Sequence, residues 1–264
     1  MNLPFFRPTE DPGPDFARLA EHAGLVAQPT GDGDPLDLPH GTTCVALRYA
    51  DGVIIAGDRR ATSGNLISYR TMQKVFPSDR HSAVAIAGAA GTAIEMVRLF
   101  QLQLEHYEKV EGKELSLDGK ARQLSGLLRQ NLPAARAGMV VVPLFAGFDR
   151  RTEVGRLFQF DVSGGTYEEL EYGVTGSGSI HASTVLKLGY REGHSRDDAV
   201  TLAIQALYVA ADEDSATGLP DFLRGLFPVV ATVTADGYEQ LEDDELRDRS
   251  QALVDELADR GLPS

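Results

Sequence analysis

Apolar positions recur with a readable period only from Thr42 onward. Thr42–Tyr49 is a nearly continuous apolar run, Ala50-Asp51-Gly52 has turn chemistry, and Val53–Asp58 is a second run. Two such runs about a short glycine-containing connection predict a β-hairpin. Ala61–Phe76 is mixed, with a turn at Ser63-Gly64-Asn65, and Ser82–Ala87 is a third apolar strand ended by Gly88. The period then changes. Ile94, Val97, Phe100, Leu104 and Tyr107 recur at spacings of three and four, which predicts a helix over Thr92–Lys109. A second helix is predicted over Leu117–Ala137, with Leu124, Leu127, Leu128, Leu132 and Ala135 on one side and Pro133 as a kink or early stop.

The second half repeats the style. Val140–Phe148 reads as a strand, and Leu157–Val162 with Tyr167–Tyr172 reads as a hairpin about Ser163-Gly164-Gly165. Gly176-Ser177-Gly178-Ser179 leads into a helix near 181–190, and another follows over about 197–212. Pro228–Thr234 is a strand, Ala235-Asp236-Gly237 a turn, and an acidic helix near 243–260 closes the chain. Helices come in pairs between groups of strands. A doubly wound parallel sheet alternates them singly, so the order predicts an α+β fold of antiparallel sheets with helix layers outside.

Residues 1–41 have a different texture. They hold seven of the thirteen prolines, and Asp or Glu at seven positions against two arginines. Pro-Gly-Pro at 12–14 and Gly-Asp-Gly-Asp-Pro at 31–35 interrupt regular structure, leaving only Phe16–Val26 as a short helix candidate. So little apolar area does not offset the entropy of ordering a segment. A disordered tail and a removable propeptide are both consistent with this composition.

The formal net charge of -14 disfavours nucleic acid and anionic membrane as partners. The lone cysteine, Cys44, rules out an internal disulfide and fits a reducing compartment. No apolar run reaches the roughly 18 residues of a membrane span, and the first residues lack the basic start and apolar core of a secretory signal. A cytoplasmic protein is expected.

Candidate chemistry narrows by exclusion. The sequence has no phosphate-loop motif, no Gly-x-Ser-x-Gly elbow, and six histidines without metal-ligand spacing. No metal or cofactor is expected. Cys44 sits within an apolar strand and reads as packing. Thr42 stands at the boundary between the two textures, directly after Gly41. A threonine hydroxyl is a poor nucleophile unless a base takes its proton, and its own free α-amine is one such base. That amine titrates near 8 in ordinary surroundings. Cleavage between Gly41 and Thr42 would create it. A glycine before the bond leaves its carbonyl open to attack. Lys74 is a candidate to favour the alkoxide, and Asp58 to hold that lysine, because the hairpin returns Asp58 beside the start of the first strand. A solvated strand end is the other reading of Asp58.

Together, Gly41-Thr42-Thr43, Gly57-Asp58-Arg59-Arg60-Ala61-Thr62, Lys74, Ile86-Ala87-Gly88, Gly176-Ser177-Gly178-Ser179 and Asp212 through Gly218 resemble the catalytic β-subunits of proteasomes. The likeness spans Thr42 to about residue 235, and the acidic, proline-rich leader is most similar to the actinobacterial form. The resemblance implies a four-layer αββα sandwich of the N-terminal nucleophile hydrolases, with a propeptide over 1–41 and a peptidase domain over 42–264. It implies Thr42 as nucleophile, Asp58 and Lys74 as its ion pair, and Ser177 and Asp214 as hydrogen-bonding partners. It also implies the Gly88 N–H as oxyanion donor. Thr217 stands where the family often has serine. Thr62 and Ala90 would pair with substrate backbone. Ala61, Met72, Ile86 and Ala90 would line an apolar side-chain pocket with Lys74 at its base. Partners implied are α-subunits, other β-subunits in a seven-membered ring, and an ATPase ring that delivers tagged proteins. A six-membered-ring bacterial threonine peptidase and a small-amide N-terminal nucleophile hydrolase are the alternatives within the same chemistry. A catalytically silent ring subunit is the structural alternative, opposed by the joint presence of Thr42, Asp58 and Lys74.

Overall fold

A computed structural model describes residues 42–260. The expectations for the leader, its helix at 16–26 and Gly41 fall outside the described residues.

The first predicted hairpin forms as β1 (Thr43–Tyr49) and β2 (Gly52–Gly57), paired with Cys44 opposite Gly57 and Tyr49 opposite Gly52. The mixed stretch resolves into three strands: a short ribbon of β3 (Ala61–Ser63) and β4 (Leu66–Tyr69), then β5 (Val75–Asp79). β6 (Ser82–Gly88) leads into α1 (Ala90–Glu111) and α2 (Leu117–Arg136). Ser116 caps α2 by accepting the Gly119 N–H at 3.2 Å. Pro133 does not stop α2 at its own position, since the helix runs three residues further to Arg136. A proline so near the C-terminus removes a single ladder bond.

β7 (Val141–Asp149) and β8 (Val154–Phe160) follow. Here the structure departs from the sequence reading. The stretch 167–172 was expected as one strand, but the chain makes two: β9 (Thr166–Glu169) stays beside β8, and β10 (Tyr172–Gly176) crosses to lie beside β1. Alternation of side chains looks the same whichever sheet a strand joins, so the pattern is blind to the crossing. α3 (Ser179–Gly189) and α4 (Arg196–Glu213) come next, then β11 (Val229–Thr234), β12 (Gly237–Gln240) and α5 (Asp243–Asp259). β12 has only four residues and was not anticipated.

The main sheets are antiparallel, ordered β10-β1-β2-β11-β12 and β5-β6-β7-β8-β9. Alternation along β1 shows how they stack. Val45, Leu47 and Tyr49 pack with Ala203, Leu207 and Leu186 of α3 and α4. Cys44 and Ala46 face the other way, against Ala83, Ala85 and Leu144 of the second sheet. That sheet's outer side, with Val84, Ile86 and Phe145, packs on Phe100, Leu124 and Leu128 of α1 and α2. Three separate cores therefore define four layers, helix–sheet–sheet–helix, and both faces of the central strands are buried. This accounts for their continuous apolar runs. The inter-sheet layer mixes small side chains such as Cys44, Ala46, Ala83 and Ala85 with larger ones such as Ile55, Leu144 and Leu157.

Candidate active site

The start of β1 is held from both flanks. On one side β10 ends at Gly176 opposite Thr43. Gly176 has φ of 101°, a region in which a side chain is strained, and a Cβ there would stand 1.9 Å from the Thr42 carbonyl oxygen. Glycine alone lets the next residue, Ser177, donate its backbone N–H to that oxygen at 2.8 Å. The Ser177 hydroxyl then lies 3.5 Å from the Thr42 nitrogen and donates to Asp214 Oδ2 at 2.5 Å.

On the other side β2 ends at Asp58, whose carboxylate is fully buried and accepts four hydrogen bonds. Its Oδ1 takes the Thr43 N–H at 2.9 Å and the Lys74 ammonium at 2.7 Å. Its Oδ2 takes the backbone N–H groups of Arg60 at 2.8 Å and Gly218 at 2.9 Å. Lys74 has no exposed side-chain surface and also donates to the Arg60 carbonyl. Burying an ion pair is costly unless each partner is further hydrogen-bonded, and here both are. The solvated-strand-end reading of Asp58 is thereby excluded. Expected residues Thr42, Asp58, Lys74, Ser177 and Asp214 converge on this one strand start.

The remaining expected residues surround it less tightly. Gly88, with φ of 109°, turns the chain from β6 toward α1, and Ala90 opens that helix. The Ile86 N–H donates to the Lys74 carbonyl at 2.9 Å, and the Met72 N–H to the Arg59 carbonyl at 3.0 Å. Ala61 and Thr62 are buried in β3. A cleft of about 360 Å³ lies alongside, but Arg59, Arg60, Arg70 and the segment Gly218–Leu223 line it instead.

Sequence reasoning assigned no role to Arg60, Gly218 or Thr43. Arg60 serves both members of the ion pair through its backbone, and its guanidinium donates to the Ser215 carbonyl at 3.0 Å. The contacts to Asp58 and Lys74 are made by main chain, which leaves no residue-type signal beyond the Asp-Arg-Arg run itself.

Cys44 is fully buried, and burial pushes its thiol up to about 12. The thiol points at the Ile86 carbonyl at 3.6 Å. A protonated, enclosed thiol is inert. Iodoacetamide at pH 8 is expected to leave the native protein's mass unchanged, whereas the urea-unfolded chain gains one adduct. Rapid labelling of native protein would contradict the packing role.

A family profile described as "Proteasome subunit" matches residues 38–220. A proteasome subunit beta of Acidimicrobium ferrooxidans is 58% identical over 263 residues, covering 99% of this chain and 96% of the relative. One from Streptomyces griseus subsp. griseus is 54% identical over 220 residues, covering 83% of this chain and 78% of the relative. A profile spanning most of the sandwich, one relative alike over nearly the whole chain and a second over most of it, and the buried constellation at the start of β1 agree: this chain belongs to the proteasome subunit family, as a β-type subunit of the proteolytic core.

Proposed function

We propose that the chain is an endopeptidase whose nucleophile is the Thr42 hydroxyl, released by cleavage of its own Gly41–Thr42 bond. The observation that carries this reading is the buried Asp58–Lys74 pair, bonded through Asp58 Oδ1 to the residue next to Thr42. Before cleavage the Thr42 nitrogen is an amide and no base. The hydroxyl adds to the Gly41 carbonyl, the acyl group moves from nitrogen to oxygen, and water hydrolyses the ester. A free amine remains.

In turnover the Thr42 amine takes the hydroxyl proton as the oxygen attacks the scissile carbonyl. The Lys74 ammonium favours the developing alkoxide, and Asp58 holds that ammonium in place. The oxyanion is received by the Gly88 N–H, a donor of a kind worth roughly 3 kcal/mol. The Thr42 ammonium returns that proton to the leaving amine, and water releases the acyl group from Thr42. Ser177 and Asp214 orient the Thr42 nitrogen, supported by their hydrogen bond and by the Ser177 contacts to Thr42.

Substrate backbone pairs with Thr62 and Ala90 as an added strand. Ala61, Met72, Ile86 and Ala90 form an apolar pocket for the side chain before the cut, which gives a broad preference for hydrophobic residues. Residues 1–41 act as a removable propeptide. The working form is a cytoplasmic barrel of β-subunit rings, seven to a ring, between rings of α-subunits, with unfolded protein delivered by an ATPase ring.

Intact-mass measurement of the β-chain from active assembled particles tests the reading. The expected mass corresponds to a chain beginning at Thr42, and a full-length β-chain in active particles would refute it.

A further inference from the structure

Two threonines stand in succession at the start of β1, and the cleavage chemistry uses only the first. Thr43 has no exposed surface, and its hydroxyl is saturated with partners. The Gly178 N–H donates to Thr43 Oγ1 at 3.1 Å. The Thr43 and Thr217 hydroxyl oxygens are 2.6 Å apart, and Thr217 Oγ1 lies 2.6 Å from Asp214 Oδ2. An ionised carboxylate only accepts, and a hydroxyl has one proton. Thr217 therefore donates to Asp214 and accepts from Thr43. Every hydrogen in the chain is thus assigned: Gly178 N–H to Thr43, Thr43 to Thr217, Thr217 to Asp214. The Ser177 hydroxyl donates to the same Asp214 oxygen, at 2.5 Å. Room for this is built in, because a Cβ on Gly178 would stand 2.4 Å from Thr43 Oγ1.

We propose that Thr43 is a positioning residue, whose hydroxyl locks Thr217 onto Asp214 and so tunes the basicity of the Thr42 amine. This rests on Thr42 being the nucleophile. The charged groups around that amine are Asp214 at the end of α4, Asp58 after β2, Arg60 before β3 and Lys74 before β5. Asp214 is the one linked to the Thr42 nitrogen through Ser177. Each hydroxyl it accepts draws off part of its negative charge. Without the Thr43 hydroxyl, the buried Gly178 N–H loses its acceptor and Thr217 is free to turn from Asp214. More negative charge is then felt at the Thr42 nitrogen, and the ammonium form gains. A general base must be unprotonated, so the acid limb of the rate profile moves to higher pH.

The test compares Thr43→Val, nearly the same shape without the hydroxyl, and Thr43→Ser, which keeps it, in assembled particles with rates normalised to chains beginning at Thr42. The valine variant is expected to lose roughly tenfold in kcat, the scale of one unmade buried hydrogen bond, with KM little changed. Its acid limb rises by about half a pH unit or more, and serine restores both. In a double-mutant cycle, adding Thr217→Val to Thr43→Val produces little further loss, since both act on one link. Unchanged kcat and pH profile in Thr43→Val overturns the proposal, as does full additivity with Thr217→Val. Should the valine variant fail to assemble, Thr43→Cys takes its place, and the same acid-limb shift is required of its weaker donor. Activity that survives in Thr42→Ala removes the nucleophile reading itself. A dead Thr42→Ala with a silent Thr43→Val removes only the role of Thr43.

Discussion

Thr42→Ala is expected to abolish peptidase activity and to leave the chain full-length in assembled particles. Under the proposed mechanism, one substitution removes the attacking oxygen from both reactions. Loss of a covalent nucleophile costs on the order of 10⁴-fold or more in kcat, and no neighbouring group replaces it here. Thr43 cannot substitute, because its hydroxyl is buried and engaged with Gly178 and Thr217. Cys44 cannot, because its thiol is enclosed and held near 12. Folding is expected to survive, since the Thr42 side chain makes no part of the three apolar cores. Peptide hydrolysis and β-chain mass, measured on the same purified particles, check the result. Turnover retained within tenfold of wild type would place the nucleophile elsewhere.

Lys74→Met is the second large effect, and it separates chemistry from stability. Methionine fills most of the volume but carries no charge. Asp58 keeps three backbone N–H partners, from Thr43, Arg60 and Gly218, but loses the Lys74 ammonium. Removing one partner of a buried pair costs about 3–5 kcal/mol, and the remaining N–H donors place the expected loss at the low end of that range. A lower unfolding temperature by thermal scanning reads this. Activity should fall by on the order of 10³-fold, because the proposed alkoxide stabilisation would disappear together with the charge. Asp58→Asn breaks the same pair from the other side: it keeps the Lys74 side chain but removes its counter-charge, and its NH2 replaces an oxygen that accepted two donors, so unfolding temperature and activity are both expected to fall. Lys74→Met particles with normal turnover would remove the lysine from the mechanism even if the unfolding temperature drops.

The hairpin-borne half of the site was legible in sequence because it is local. β1 and β2 are joined by a short turn, so the spacing of fifteen residues between Thr43 and Asp58 is a register that turn geometry sets. Lys74 needed one further step, a return through the β3–β4 ribbon. Ser177 and Asp214 were reachable only through family resemblance. Ser177 is 135 residues from Thr42 along the chain, and nothing in a serine between two glycines says which strand it faces. The crossing of β10 from one sheet to the other brings it there. Arg60 and Gly218 were not legible at all, because backbone groups carry their roles and any residue type presents those.

The sequence by itself determined the order of the helices and of most strands, the change in texture at Thr42 and the local register of the first hairpin. Each is written in short-range signals: apolar period, turn chemistry and the abrupt change in proline content. Only the tertiary structure decided which sheet each strand joins, that both faces of β1 are buried, and that Asp58 is a satisfied buried charge rather than a solvated one. These depend on contacts between residues far apart in the chain, whose free energy comes from close packing and from desolvated hydrogen bonds that no local pattern encodes. The two threonines make the difference plain. Side by side in sequence they read alike. The fold points the Thr43 hydroxyl inward, to Gly178 and Thr217, and sets the Thr42 nitrogen beside Ser177.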